Sequence, residues 1–223
     1  LYRAGGGRTM KLLKKELQLA MHPTNILFLF LSAMVLIPNY PYYVVFFYTS
    51  LAVFFVCLNG RENHDITYSL LLPVRKADIV KGRFLFIVLL ECLQVVIIVP
   101  FIVIKQHLPI EPNVVGMEAN IALLGLGLLM FGVFHVIFFS VYYRNPNKVG
   151  KAFLLGSVGE AVYMVAAETL AHAVPVFRDC IDTMGMEYVQ YKLIVLVAGA
   201  VGYVWLTLVS YKKAQRTFER LDL

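Results

Sequence analysis

The sequence predicts an all-α, polytopic membrane protein: six transmembrane helices, an N-terminal interfacial amphipathic helix, and both termini cytoplasmic. Three observations predict it. Of 223 residues, 60% are hydrophobic and only 15% charged, whereas soluble domains are about 45–50% apolar and about 25% charged. The apolar residues fall in long runs rather than in alternation. Lysine and arginine gather on alternate inter-run segments, which is the charge bias that sets membrane orientation. This composition excludes a soluble globular enzyme, a disordered chain and a disulfide scaffold. The formal net charge of +6 follows from that bias and does not call for nucleic acid.

Residues 1–9, LYRAGGGRT, carry three glycines and no periodicity and read as a cloning scar outside the fold. Residues 10–23 form the interfacial helix. Met10, Leu13, Leu17, Ala20 and Met21 share one face, while Lys11, Lys14 and Lys15 lie off it, near anionic headgroups. Pro23 ends that helix. Spans are expected at 24–37, 42–58, 84–104, 119–143, 152–176 and 192–211. The last four reach the ~20 residues a bilayer requires. The first two are short and form a tight hairpin around Pro38-Asn39-Tyr40-Pro41. Both flanks of that hairpin, 10–23 and 59–83, are basic, so the chain crosses an even number of times between them. Fifteen lysines and arginines lie on the inner segments, against three (Lys105, Arg178 and Lys192) on the outer ones. Tyr42, Tyr43, Tyr142, Tyr143, Tyr188 and Tyr191 sit at span ends, where aromatic belts belong.

The outer segments, 105–118 and 177–191, are too short for a folded receptor or catalytic domain. The largest aqueous piece is the inner loop 59–83. It mixes Glu62, Asp65 and Asp78 with basic residues and carries Leu70-Leu71-Leu72-Pro73 at its centre. Three leucines before a proline suit a short helix with one apolar side, docked on another protein or on the membrane surface. Residues 212–223 form a cytoplasmic tail. Cys57, Cys92 and Cys180 have no metal-ligand spacing, and their odd number supports no disulfide framework.

Leu72-Pro73-Val74, Arg75-Lys76 and Asp78-Ile79-Val80 precede the third span, behind a basic interfacial helix and two spans. In this the chain, from Met10 to its C-terminus, resembles the permease subunits of ABC type-2 exporters. It looks most similar to the small permeases that export amphipathic peptide toxins, the phenol-soluble modulins. The resemblance implies a permease homodimer in a bacterial cell membrane, each copy resting on one subunit of an ABC ATPase dimer, with ATP and Mg held by that partner and no cofactor on this chain. It also implies a coupling helix in the inner loop, here Glu62, Asp65, Ile66, Tyr68 and Ser69, seated in a groove of the ATPase. The chain is not expected to be an enzyme. Its nearest approach to a phosphate-binding G-x-x-x-x-G-K-[ST] loop is Asn147-Lys148-Val149-Gly150-Lys151-Ala152, which lacks the first glycine and the hydroxyl.

Ionisable residues within spans are functional candidates by default. Glu91, His135 and Glu160 each lie eight residues from the inner end of their span, about 12 Å of helical rise, and could form one polar layer. Glu160, Met164, Glu168 and His172 recur every four residues along one face of span five. Two readings of these residues stand: a substrate pathway whose acids suit cationic amphipathic peptides, or an internal hydrogen-bonded network that orients helices. Glu168 and His172 could also supply metal ligands, but no HExxH pattern accompanies them. The Ala198-x-x-x-Gly202 spacing and Gly125-Leu126-Gly127 mark close helix packing. Besides an ATP-driven exporter, two other functions fit: an ion-gradient transporter or channel using the buried carboxylates, and a membrane immunity or scaffold protein.

Overall fold

A computed structural model of the chain describes residues 12–18, 23–71 and 73–221. The expected scar at 1–9, the two ends of the expected interfacial helix (10–11 and 19–22), Leu72 and the last two residues of the tail lie outside the described residues. The described part is helical throughout. The helices are α1 (12–18), α2 (Pro23–Phe30), α3 (Tyr43–Glu62), α4 (Asp65–Leu70), α5 (Lys76–His107), α6 (Ile121–Tyr142), α7 (Val149–Ala173) and α8 (Val189–Glu219).

Five of these, α3 and α5 to α8, are long and apolar enough to cross a membrane among the described residues. The first apolar segment is different. Pro23 opens α2 at the first helical position, where its missing N–H leaves nothing unpaired. Eight α-helical residues then give way to a six-residue 3-10 turn, Leu31–Leu36. At α and 3-10 rises the segment covers about 24 Å, short of a ~30 Å hydrocarbon core. Ser32 marks the change, because its hydroxyl donates to the carbonyl of Leu29 at 2.6 Å and competes with the helical N–H pattern. Asn39 takes a left-handed φ of 53° in the turn that follows, a conformation asparagine tolerates.

The inner loop expected over 59–83 is mostly helix. α3 continues to Glu62, His64 turns the chain at φ 51°, and α4 and then α5 begin at once. α5 starts eight residues before its hydropathy does. Asp78 in its first turn accepts from Arg75 Nε at 3.0 Å, and an acid there also complements the helix dipole. Hydropathy reports where lipid begins, not where the helix does.

α6 is the central helix. In its most apolar stretch 67% of residues are buried within the protomer, against 22% for α7 and for α8. The face α8 turns to α6 is Gly199, Tyr203, Thr207 and Ser210, at three- and four-residue steps. The tightest approach is Gly125 against Gly199. A Cβ on Gly125 would stand 2.5 Å from the Leu196 Cα. Close packing was expected from Gly125 and Gly127, and it forms there. Ala198 is exposed, and Gly202 faces only the Leu129 side chain, so the expected Ala198–Gly202 pair lies one residue off the true seam.

α1 packs on the protein through a face beside the expected apolar one. Leu12 and Glu16 are buried against the protein, while Leu17 is 37% exposed. Gly82 of α5 makes room for this, since a Cβ there would meet the Leu12 Cβ at 3.1 Å.

Candidate functional site

Polar side chains gather at three levels. In the middle, Glu91 of α5, His135 of α6 and Tyr203 and Thr207 of α8 make one network. His135 Nε2 lies 2.8 Å from Glu91 Oε1, Tyr203 donates to Glu91 Oε2 at 2.6 Å, and His135 Nδ1 lies 3.0 Å from Thr207 Oγ1. Ser210 donates to the His135 carbonyl at 2.7 Å. Glu91 and His135 are both wholly buried. Because polar groups away from water need partners, this network fixes how three helices are rotated about their axes.

The expected polar layer therefore forms in part. Glu91 and His135 meet directly. Glu160, also wholly buried, turns instead to α3, where Ser50 donates to its Oε1 at 2.5 Å. Its Oε2 has no hydrogen-bond partner, and no ion pair to Glu160 occurs among the described residues. Of the α7 stripe, Met164 packs against the outer half of the core. Glu168 accepts from the Met117 N–H at 2.8 Å, and the exposed His172 turns Nδ1 to the carbonyl of Glu168 at 2.9 Å. The two side chains do not converge as a metal pair would.

At one end of the bundle, the end expected to face outward, residues 108–120 fold back over the helices. Lys105 donates to Glu118 at 3.0 Å and to Tyr42 at 2.6 Å. The Glu118 carboxylate also accepts from the Asn113 N–H, and Asn120 caps α6 through the N–H groups of Ala122 and Leu123. A Cβ on Gly116 would stand 2.7 Å from Glu168 Oε1, so a side chain there would displace that carboxylate. Asp182 completes the cap by accepting from the Glu118 N–H at 2.6 Å.

Burial pushes the Asp182 carboxyl up to about 6. The Glu118 carboxylate adds to the rise, while the Glu118 N–H, His172 and Lys192 pull against it. A carboxyl whose folded pKa is raised binds its proton more tightly in the folded state. Its contribution is fully present below the unfolded value, 3.8, and is lost as pH rises through about 6. Asp182→Asn keeps an acceptor for the Glu118 N–H and cannot ionise. The thermal midpoint of Asp182→Asn in detergent should therefore match wild type near pH 4 and exceed it increasingly up to pH 7. A difference that does not change with pH would refute this assignment.

At the opposite end, the one expected to face inward, Arg83 of α5 is buried, with a side chain 6% exposed. It reaches Glu16 of α1 at 3.1 Å and Asp65 of α4 at 2.6 Å. Lys15 bridges the same two elements, donating to Asp65 at 2.6 Å and Ser69 at 2.8 Å. Beside them lies a cavity of about 610 Å³ between α1, the end of α3, α4 and α5. Of the residues expected to couple to a partner, Glu62 and Tyr68 face outward. Asp65 and Ser69 turn inward to these ion pairs, and Ile66 packs against the core. Leu71, 77% exposed, extends the outward face beyond Tyr68.

Sequence reasoning missed Arg83, Glu16, Ser50, Tyr203 and Thr207. Tyr203 and Thr207 had a signal, being polar at i and i+4 in an apolar span. Arg83 had none, because it stands at the end of a basic run that reads as solvated.

Residues 11–219 match the family described as ABC-2 family transporter protein. The chain belongs to the ABC-2 transporter family. No curated protein and no solved structure matches it. ABC-2 membership makes the chain a membrane-spanning permease subunit of an ABC transporter, a multi-pass membrane protein that works in general with an ABC ATPase.

Proposed function

We propose that the chain is the permease of an ATP-driven exporter that moves cationic, amphipathic peptides out of a bacterial cell, in the manner of the phenol-soluble-modulin exporters it resembles. ATP and Mg act on a separate ABC ATPase dimer, and two permeases pair in the cell membrane. The observation that carries the reading is α4: a short helix between two spans, held from behind by ion pairs, with Tyr68 and Leu71 66% and 77% exposed. α2 with its 3-10 turn and α3 make the first hairpin, giving six crossings with both termini inside. The outward apolar faces of α7 and α8 leave room for a second copy. The α7 stripe of Glu160, Met164, Glu168 and His172 borders the route, and Glu91 with His135 braces the helices behind it.

The test is reconstitution with the ABC ATPase that co-purifies with the chain, in liposomes carrying a fluorescent lysine- and leucine-rich amphipathic peptide. Tyr68→Asp combined with Leu71→Asp should weaken ATPase binding at least about tenfold, as loss of exposed anchor residues does, while the permease stays folded. Asp65 is unsuitable for this purpose, because reversing its charge would break the ion pairs behind α4. Glu160→Gln should leave assembly and basal hydrolysis unchanged, since its amide oxygen still accepts from Ser50, yet should lower peptide-stimulated hydrolysis. Unaltered ATPase binding in the α4 double variant would refute the docking role. Unaltered peptide stimulation in Glu160→Gln would refute recognition of cationic cargo by that carboxylate.

A further inference from the structure

α1 has the composition of a passive membrane anchor, yet its buried face carries a carboxylate that a simple anchor does not need. Glu16 is 3% exposed and lies 3.1 Å from the buried Arg83, which reaches Asp65 at 2.6 Å with its other arm. Lys15, next to Glu16, closes the set by bonding Asp65 and Ser69. Two cations and two carboxylates from α1, α4 and α5 thus neutralise one another. Arg83 Nη1 also donates to the Val56 carbonyl at 3.3 Å at the end of α3. Gly60 admits the guanidinium, since a Cβ there would stand 3.3 Å from Nη2. A guanidinium suits this place because its planar fork holds two carboxylates at fixed angles, which an ammonium cannot.

We propose that Arg83 is a positioning residue that joins α1 and α4 into one moving body, so that displacement of α4 by the ATPase is delivered to α1 and to the base of α5. The proposal rests on the reading of α4 as the docking helix. Coupling between separate elements travels through packed and ion-paired contacts of this kind. Among the described residues this polar set, in which Lys15 gives α1 a second link to α4, runs beside apolar contacts of Leu12 with Gly82 and of Leu13 with the core. The cavity of about 610 Å³ beside the ion pairs lets α4 and α1 shift together without overlapping the apolar core. α1 is then the means by which the inner membrane surface responds to the ATP cycle.

Hydrogen exchange on the complex with the co-purifying ABC ATPase tests this without a known cargo. In wild type, ATPase binding should protect 65–71 and should also change exchange in 12–18, by about tenfold for coupling of ordinary size. In Arg83→Gln combined with Lys15→Met, which removes the second link from α1 to α4, 65–71 should still be protected while 12–18 no longer responds. Arg83→Lys, which can reach one carboxylate at a time, should respond partially. Should that double variant fail to fold, Glu16→Gln with Lys15→Met takes its place, because it keeps the Arg83–Asp65 pair and cuts both links from α1. A full response of 12–18 in either double variant overturns the proposal, as does a silent 12–18 in wild type with 65–71 protected. No protection of 65–71 in wild type instead sinks the docking reading, and this proposal with it.

Discussion

Gly199→Ala should destabilise the protein by about 1–3 kcal/mol, the usual cost of forcing an extra methyl into a close-packed interior, and Gly199→Leu should prevent a monodisperse fold. A Cβ on Gly199 would fall against the Gly125 carbonyl, which is backbone and cannot swing aside. The only relief is to move α8 away from α6. That seam also carries His135–Thr207 at 3.0 Å and Ser210 to the His135 carbonyl at 2.7 Å, and these bonds lengthen as the helices part. Gly150 supplies the control. A Cβ there meets nothing within 4 Å, and alanine is the better helix former, so Gly150→Ala should be neutral or slightly stabilising. Thermal unfolding in detergent and elution on size exclusion would check both. A Gly199→Ala protein as stable as wild type would mean that α6 and α8 do not approach this closely.

Much of the architecture was legible because the bilayer imposes a coarse and local rule: a span is an apolar run of sufficient length. The five long helices follow their hydropathy closely, and the turn at Pro38–Pro41 appears where proline and asparagine place it. Helix ends were less legible. α5 begins at Lys76 because Arg75 and Asp78 organise its first turn, and polar residues can continue a helix into water as well as end it. The first apolar segment was misjudged in conformation, because Ser32 diverts it into a 3-10 turn that composition does not register.

The polar residues show a different limit. Counting rise along each span placed Glu91 and His135 at one depth, and they do meet. Depth says nothing about azimuth, so the same count put Glu160 with them, whereas it faces Ser50. The expected coupling residues divide between two faces for a related reason. Four of the five lie on one helix of six residues and cannot all face one way, so Asp65 and Ser69 turn to Arg83 and Lys15 while Tyr68 turns out. Burial of Arg83 depends on carboxylates contributed by α1 and α4, distant in sequence, and no local pattern announces them.

Glu91→Ala should be among the most damaging single changes in the protein, with an expected cost of about 3–5 kcal/mol, typical of removing one partner from a buried polar pair. It leaves His135 Nε2 and Tyr203 Oη facing apolar side chains where water does not reach, since Glu91 and His135 are wholly buried and Tyr203 is 6% exposed. Glu91→Gln should cost far less, because the amide oxygen still accepts from Tyr203. The combination Glu91→Leu, His135→Leu, Tyr203→Phe removes the stranded groups together and leaves only Thr207, whose hydroxyl can turn to a carbonyl of its own helix; replacing a buried network by apolar residues is often neutral or stabilising. The triple variant should therefore regain thermal stability near wild type. If Glu91 and His135 only brace α5, α6 and α8 behind the route, the triple variant should also keep peptide-stimulated ATP hydrolysis in the reconstituted complex. Recovered stability with lost stimulation would instead place these two residues on the route itself. Failure to recover stability would show that their contribution lies in bonds that shape alone cannot replace.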